Sequence, residues 1–234
     1  MTEIEWWDYD DADEMAAAVA GDLRFVIQSA LDARGDAIIA LPGGSTPLPI
    51  YAALAESELA WKRVTIIPTD DRLVPMGDDL SNITAIAKAF MARGARVYPI
   101  TSDAAEDYLA AGQAADARLR HLGWPLDLVL LGVGEDGHTA SIFSGDDLAA
   151  ATDAKSDARV VGVKPDPMPA NAPVARVTLT LPAITAARTL TIAMTGQAKR
   201  ALIEQAIEDG AKSPYPIGKV LAAATVPIDI HWAP

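Results

Sequence analysis

The 234-residue chain contains no cysteine. That excludes a disulfide framework and any thiolate-held metal, and it fits a reducing, cytoplasmic setting. Its three histidines, His121, His138 and His231, are too scattered for a ligand pair of the His-Glu-x-x-His kind. No Gly-Lys-Ser/Thr follows a glycine-rich turn, so there is no Walker A loop, and no Gly-x-Ser-x-Gly nucleophile elbow occurs. No apolar run approaches the roughly 18 residues of a membrane helix. Met1 to Glu14 is acidic and lacks a cationic n-region, which predicts no signal peptide. Positive charge is scarce: 19 Lys and Arg stand against 32 Asp and Glu, a formal charge of −13. This balance argues against nucleic acid and anionic membrane as partners, since both need basic patches. A small anionic substrate remains compatible if local Arg, Lys or backbone N–H groups overcome the long-range field.

What is present is apolar: 50% of the residues are hydrophobic, enough for a sizeable core in one domain spanning residues 1–234. Strand-like and helix-like segments alternate. Strands are expected at 4–7, 37–41, 64–68, 96–100, 128–131, 159–163, 176–181, 190–194 and 225–232. Helices are expected at 11–33, with Asp11 as N-cap and Gly35 as stop, and at 46–56, 82–92, 104–122 and 197–208. Residues 165–173 form a proline-dense loop. The Ala-rich tracts near Ala16 and Ala222 read as helix. This alternation predicts an α/β fold, a mainly parallel sheet covered on both faces, with ligands at the carboxyl ends of its strands.

Four polar motifs fall at such places. Leu41-Pro-Gly-Gly-Ser-Thr-Pro47 links a strand to a helix start. Gly43 and Gly44 let backbone N–H groups approach an anion, and Ser45 and Thr46 add hydroxyls; the same residues also suit a tight turn capped by Ser45 or Thr46. Thr69-Asp-Asp-Arg72 offers two adjacent carboxylates for acid–base work and, in Arg72, a fork for phosphate or an oxyanion. Ser81 and Asn82 read as helix caps. In Gly132-Val-Gly-Glu-Asp-Gly-His138 a glycine turn presents an imidazole that titrates near neutrality, with Asp136 able to orient it. The small residues after His138 look able to start a helix. The formal Gly-x-Gly-x-x-Gly match lacks the acidic strand end of a dinucleotide site. Lys199, in Gly196-Gln-Ala-Lys199, reaches the same sheet edge or is a solvated surface lysine. His121 and His231 have no such setting and read as structural or surface residues.

Together these segments resemble the 6-phosphogluconolactonase family. The resemblance runs from about Ile4 to the C-terminus and rests on Pro42-Gly-Gly-Ser-Thr-Pro47, Asp70-Asp-Arg72 with Ser81-Asn82, Gly132-Val-Gly-Glu-Asp-Gly-His-Thr-Ala-Ser141 and Arg176-Val-Thr-Leu-Thr-Leu-Pro182. Two departures are Asp71, where the family usually has Glu, and the C-terminal segment Asp229 to Pro234. The resemblance implies a Rossmann-like three-layer α/β/α sandwich, shared with glucosamine-6-phosphate deaminase and ribose-5-phosphate isomerase. It implies hydrolysis of 6-phospho-D-glucono-1,5-lactone in the oxidative pentose phosphate pathway, with no metal or organic cofactor. His138 would be the general base, held by Asp136. Arg72 would stabilise negative charge or bind phosphate, and Asp70 would orient substrate or water. Gly43, Gly44, Ser45, Thr46 and Lys199 would hold the 6-phosphate, with Arg176 contributing. The expected partner is a small sugar phosphate, and the expected assembly a monomer or small homo-oligomer. Two alternatives stand beside this. A deaminase would resemble Asp-Glu-Tyr and Phe-Asn-Glu-Pro where this chain has Asp70-Asp-Arg72 and Thr139-Ala-Ser-Ile-Phe-Ser-Gly145. A non-catalytic sugar-phosphate sensor would normally carry a DNA-binding segment, and this acidic chain has no spare region for one.

Overall fold

The computed structural model describes residues 2–75, 77–102 and 107–234. In chain order the elements are β1 (Ile4–Asp8), α1 (Ala12–Arg34), β2 (Ala37–Leu41), α2 (Pro47–Ala55), β3 (Val64–Pro68), β4 (Asp70–Arg72), α3 (Asn82–Phe90), β5 (Arg96–Val97) and α4 (Tyr108–Leu119). They continue with β6 (Leu128–Leu131), α5 (Leu148–Thr152), β7 (Val160–Val163), β8 (Arg176–Leu179), α6 (Leu181–Thr185), β9 (Leu190–Thr195), α7 (Gln197–Asp209), α8 (Pro216–Ala223) and β10 (Ile228–Ala233).

Seven strands pair in the order β1-β10-β9-β6-β2-β3-β5, all parallel. Side chains alternate between faces along each strand, so each face acquires its own apolar layer. Ile39, Leu41, Ile66, Leu128 and Leu130 join one layer with Val19, Leu23 and Ile27 of α1 and Ile50 and Leu54 of α2. Ala40, Ile67, Val129, Leu131, Ile192 and Ile230 join the other, with Ala115 and Leu119 of α4, Ile203 of α7 and Val220 of α8. This is the expected α/β/α sandwich.

The caps of α1 follow the sequence signals. The Asp11 carboxylate accepts from the N–H groups of Asp13 and Glu14, and Gly35 closes the helix at φ +82°. Several boundaries differ, among them the final strand, expected at 225–232 and found at Ile228–Ala233. The strand expected at 96–100 is only Arg96–Val97, and the helix expected from residue 104 is Tyr108–Leu119, residues 104–106 lying outside the described ones. No helix starts directly after His138, and the next, α5, begins only at Leu148: Gly137 and Ala140 take φ of +78° and +49°, a left-handed backbone that interrupts helical hydrogen bonding.

A second, antiparallel sheet, β4-β8-β7, was not legible as such. Its β4 is only three residues long and begins one residue beyond β3. Arg72 pairs with Arg176 and Asp70 with Thr178, bringing segments about a hundred positions apart to one place. Val160, Val163, Val177 and Leu179 of this sheet share the apolar layer of α4, β6 and β9.

Candidate active site

The chain builds the large sheet outward from β2 through β3 to β5, then restarts at β6 on the other side of β2. The turns after β2 and β6 therefore diverge and leave a crevice at the carboxyl ends, as expected of such a switch point. A cavity of about 250 Å³ opens there. Gly43, Gly44, Ser45 and Thr46 line it from the turn after β2, Gly134 and His138 from the turn after β6, and Lys199 from the first turn of α7 after β9. Asp70 and Arg72 of β4 and Arg176 of β8 close it from the small sheet. Every sequence-derived site residue lines the cavity except Asp136, which stands behind His138.

Local geometry explains several identities. A Cβ on Gly43 would sit 1.8 Å from Oδ1 of Asn82, and Gly44 has φ +96°. Thr46 precedes α2 with no side-chain capping bond, while the Leu48 N–H donates to the Ser45 carbonyl at 3.2 Å in a tight turn. Among the described residues, no backbone carbonyl takes the N–H groups of Gly44, Ser45 or Thr46. They remain available at the positive end of a nine-residue helix. A Cβ on Gly134 would lie 2.2 Å from the imidazole of His138, so only glycine allows that ring its place.

His138 Nδ1 lies 2.5 Å from Asp136 Oδ1, and the His138 backbone N–H donates to the same oxygen at 3.1 Å. The hydrogen bond from His138 holds the Asp136 carboxyl below the usual range. The imidazole is 30% exposed and lines the cavity.

Asp70 and Asp71 separate. Successive residues of a strand face opposite sides, and only Asp70 reaches the cavity. It accepts from Ser141 Oγ at 2.6 Å and lies 3.3 Å from both Thr69 Oγ1 and Asn82 Nδ2. Asp71 is fully buried and accepts from the N–H groups of Asn82 at 2.7 Å, Ile83 at 3.2 Å and Arg72 at 2.8 Å. It thereby caps α3 from a distance. Burial pushes its pKa up to about 6, against the opposing pull of those N–H groups. The paired-carboxylate reading is thus corrected: one carboxylate serves the cavity and the other a helix end. Ser81, read as a cap, makes no capping bond; its hydroxyl donates to Asp71 at 3.2 Å. Asn82, also read as a cap, lines the cavity and donates to the Asp70 carbonyl at 2.7 Å.

Sequence reasoning missed Asn171, which lines the cavity from the proline-dense loop; no motif marks it. It also assigned no role to Ser141 and Phe143, although both lie in the stretch 139–145 directly after the histidine. His121 is exposed and His231 buried, both away from the cavity.

Residues 10–232 match the family model described as glucosamine-6-phosphate isomerases/6-phosphogluconolactonase. The chain belongs to this family. It is 37% identical to a 6-phosphogluconolactonase of Mesorhizobium japonicum, covering 98% of this chain and 95% of that one. It is 35% identical to one of Rhizobium meliloti, covering 97% of each. Its fold superposes on a crystal structure of a 6-phosphogluconolactonase from Shewanella baltica with TM-score 0.89 and 29% identity, covering 100% of this chain and 98% of that one. The corresponding figures for a putative 6-phosphogluconolactonase from Neisseria gonorrhoeae are 0.87, 31%, 100% and 100%.

The electrostatics of this family member resolve the problem set by its net charge. Among the described residues, Arg72, Arg176 and Lys199 form no ion pair within 4.0 Å. Arg72 donates to the Leu80 carbonyl at 2.7 Å and Arg176 to the Ala172 carbonyl at 3.1 Å. Desolvation lowers the Arg176 pKa; nearby Asp70 opposes that shift and Arg72 adds to it. Three cations that form no ion pair within 4.0 Å thus line one cavity beside the Asp70 carboxylate, a local concentration of positive charge in a chain of charge −13.

Proposed function

We propose that this chain hydrolyses 6-phospho-D-glucono-1,5-lactone to 6-phospho-D-gluconate, with His138 as general base. The observation that carries the reading is the His138–Asp136 pair, 2.5 Å apart, opening onto a cavity lined by Arg72, Arg176 and Lys199. The names and lengths of the relatives support the same substrate.

The 6-phosphate is anchored by the N–H and hydroxyl groups of the Gly43–Thr46 turn and by Lys199. Asp136 accepts a hydrogen bond from the Nδ1–H of His138, which leaves Nε2 as the basic nitrogen. Nε2 takes a proton from water as the water oxygen bonds to the lactone C1. The carbonyl electron pair moves onto oxygen, and Arg72 stabilises that developing charge. Arg176 adds positive potential beside it. When the carbonyl re-forms, the bond from C1 to the ring oxygen breaks, and the imidazolium returns its proton to that oxygen. Asp70, fixed by Ser141 and Asn82, orients the water or a sugar hydroxyl.

The test generates the lactone in situ, subtracts its spontaneous hydrolysis and compares wild type with His138→Ala. Acceleration by wild type that falls about 10²–10⁴-fold in a folded variant is expected. Near-normal turnover in the variant would reject the assigned base. No acceleration by wild type would reject the activity and direct assays to glucosamine 6-phosphate deamination.

A further inference from the structure

Phe143 has no part in the scheme above, yet it touches two of its residues. Its ring stacks on the His138 imidazole, with centroids 4.3 Å apart and planes 25° apart. The guanidinium carbon of Arg176 lies 4.9 Å from the centroid of the same ring. Arg176 comes from β8 and Phe143 from the turn after β6, so the contact joins the small sheet to the histidine turn.

The hydrogen bond to Asp136 and the Cβ–Cγ bond fix one edge of the imidazole, but the opposite edge, which carries Nε2, can still rock. Two further surfaces remove that freedom. The Gly134 backbone packs so closely against the imidazole that a Cβ there would be 2.2 Å from it. Phe143 supplies the other surface. The cation of Arg176 favours the π face of Phe143 and so holds the phenyl ring itself in place.

We propose that Phe143 is a positioning residue for hydrolysis: backed by Arg176, its ring sets the plane of the His138 imidazole and so aims Nε2 at the attacking water. The proposal rests on His138 being the base. Leucine at this position keeps apolar bulk but loses the flat face, and a reacting group displaced by about 1 Å loses up to about 10²-fold in rate. Phe143→Leu is therefore expected to lower kcat about 10- to 100-fold and to change KM less than about threefold, because the Gly43–Thr46 turn and Lys199, assigned to the phosphate, are unchanged.

Three comparisons test the role, each on protein shown folded by circular dichroism and a cooperative melt. Phe143→Tyr, which keeps the ring face, is expected to retain most of the wild-type kcat. In a His138→Ala background, assayed at high enzyme concentration, Phe143→Leu is expected to cost less than about threefold. If Phe143→Leu does not fold, Phe143→Met replaces it. Wild-type kcat in the Leu or Met variant, an equal loss in the Tyr variant, or the same loss with and without His138 would overturn the proposal. Failure of the base assignment would show separately, as near-normal turnover in His138→Ala alone.

Discussion

Two histidines in this chain occupy opposite circumstances. His138 sits on a glycine turn at the cavity, 30% exposed, with a carboxylate 2.5 Å from Nδ1. His231 sits within β10, 1% exposed, beside the rings of Trp7 and Tyr9, with the Tyr9 hydroxyl 2.9 Å from Nδ1. Burial lowers the His231 pKa to about 4, although Asp229 pulls the other way. It is a neutral packing residue at pH 7. Both have carboxylates nearby, Asp22 standing 3.9 Å from His231 Nε2; what separates them is access to water and a carboxylate within hydrogen-bond distance, not residue type. Asp70 and Asp71 repeat the lesson within one strand, where neighbours face a cavity and a helix end.

The largest effect that could break this comparison is kinetic. His138→Ala should lose about 10²–10⁴-fold in turnover, whereas His231→Gln should keep wild-type turnover in the same lactone assay. Equal losses in both would erase the distinction.

Next comes the pH dependence of stability, where His231 and Asp71 act with opposite sign. For His231, between pH 6.5 and about 4 the unfolded chain binds a proton that the folded chain does not. Stability from this group is therefore lost as pH falls through that window, by about 3 kcal/mol in all. For Asp71, whose pKa rises from 3.8 to about 6, the folded chain binds the extra proton. Its contribution therefore falls as pH rises through that window, by a similar amount of about 3 kcal/mol. Urea unfolding at about pH 7 and pH 4.5 should show less acid loss in His231→Gln than in wild type. Asp71→Asn should show more, because the opposing slope is gone. Identical pH slopes in all three proteins would refute both assignments.

Lys199→Met should raise KM about tenfold, the size of one lost charge-assisted contact of about 1.4 kcal/mol, with a smaller change in kcat. An unchanged KM would return Lys199 to the solvated surface. The smallest effect is expected from Ser141→Ala, which removes one donor to Asp70. A loss of about 0.5–2 kcal/mol in unfolding free energy is expected, and no change in the urea midpoint would contradict the hydrogen bond.

Much of this was legible in the residues. Strands Ala37–Leu41, Val64–Pro68 and Leu128–Leu131 coincide with the expected ones, because continuous apolar runs bounded by turn residues leave few other solutions. Asp11 and Gly35 bracket α1 through capping chemistry that acts over a few residues. The glycine turns after β2 and β6 were readable for the same reason, since each is a local backbone requirement. The helix expected after His138 failed because composition there permits a helix, while the turn's left-handed residues and its bond from the Ser141 N–H to Thr178 Oγ1 at 3.0 Å do not.

The sequence by itself determined the alternating elements, the parallel sheet and the order of the polar motifs along its edge. These depend on periodicity, caps and turns, all short-range. Only the tertiary structure decided that β4 pairs with β8, that Asp71 turns from the cavity to α3, that Asn171 lines the cavity, and that Arg176 packs on Phe143. Those outcomes depend on strand pairing and side-chain direction between segments far apart in the chain, and no local pattern encodes them.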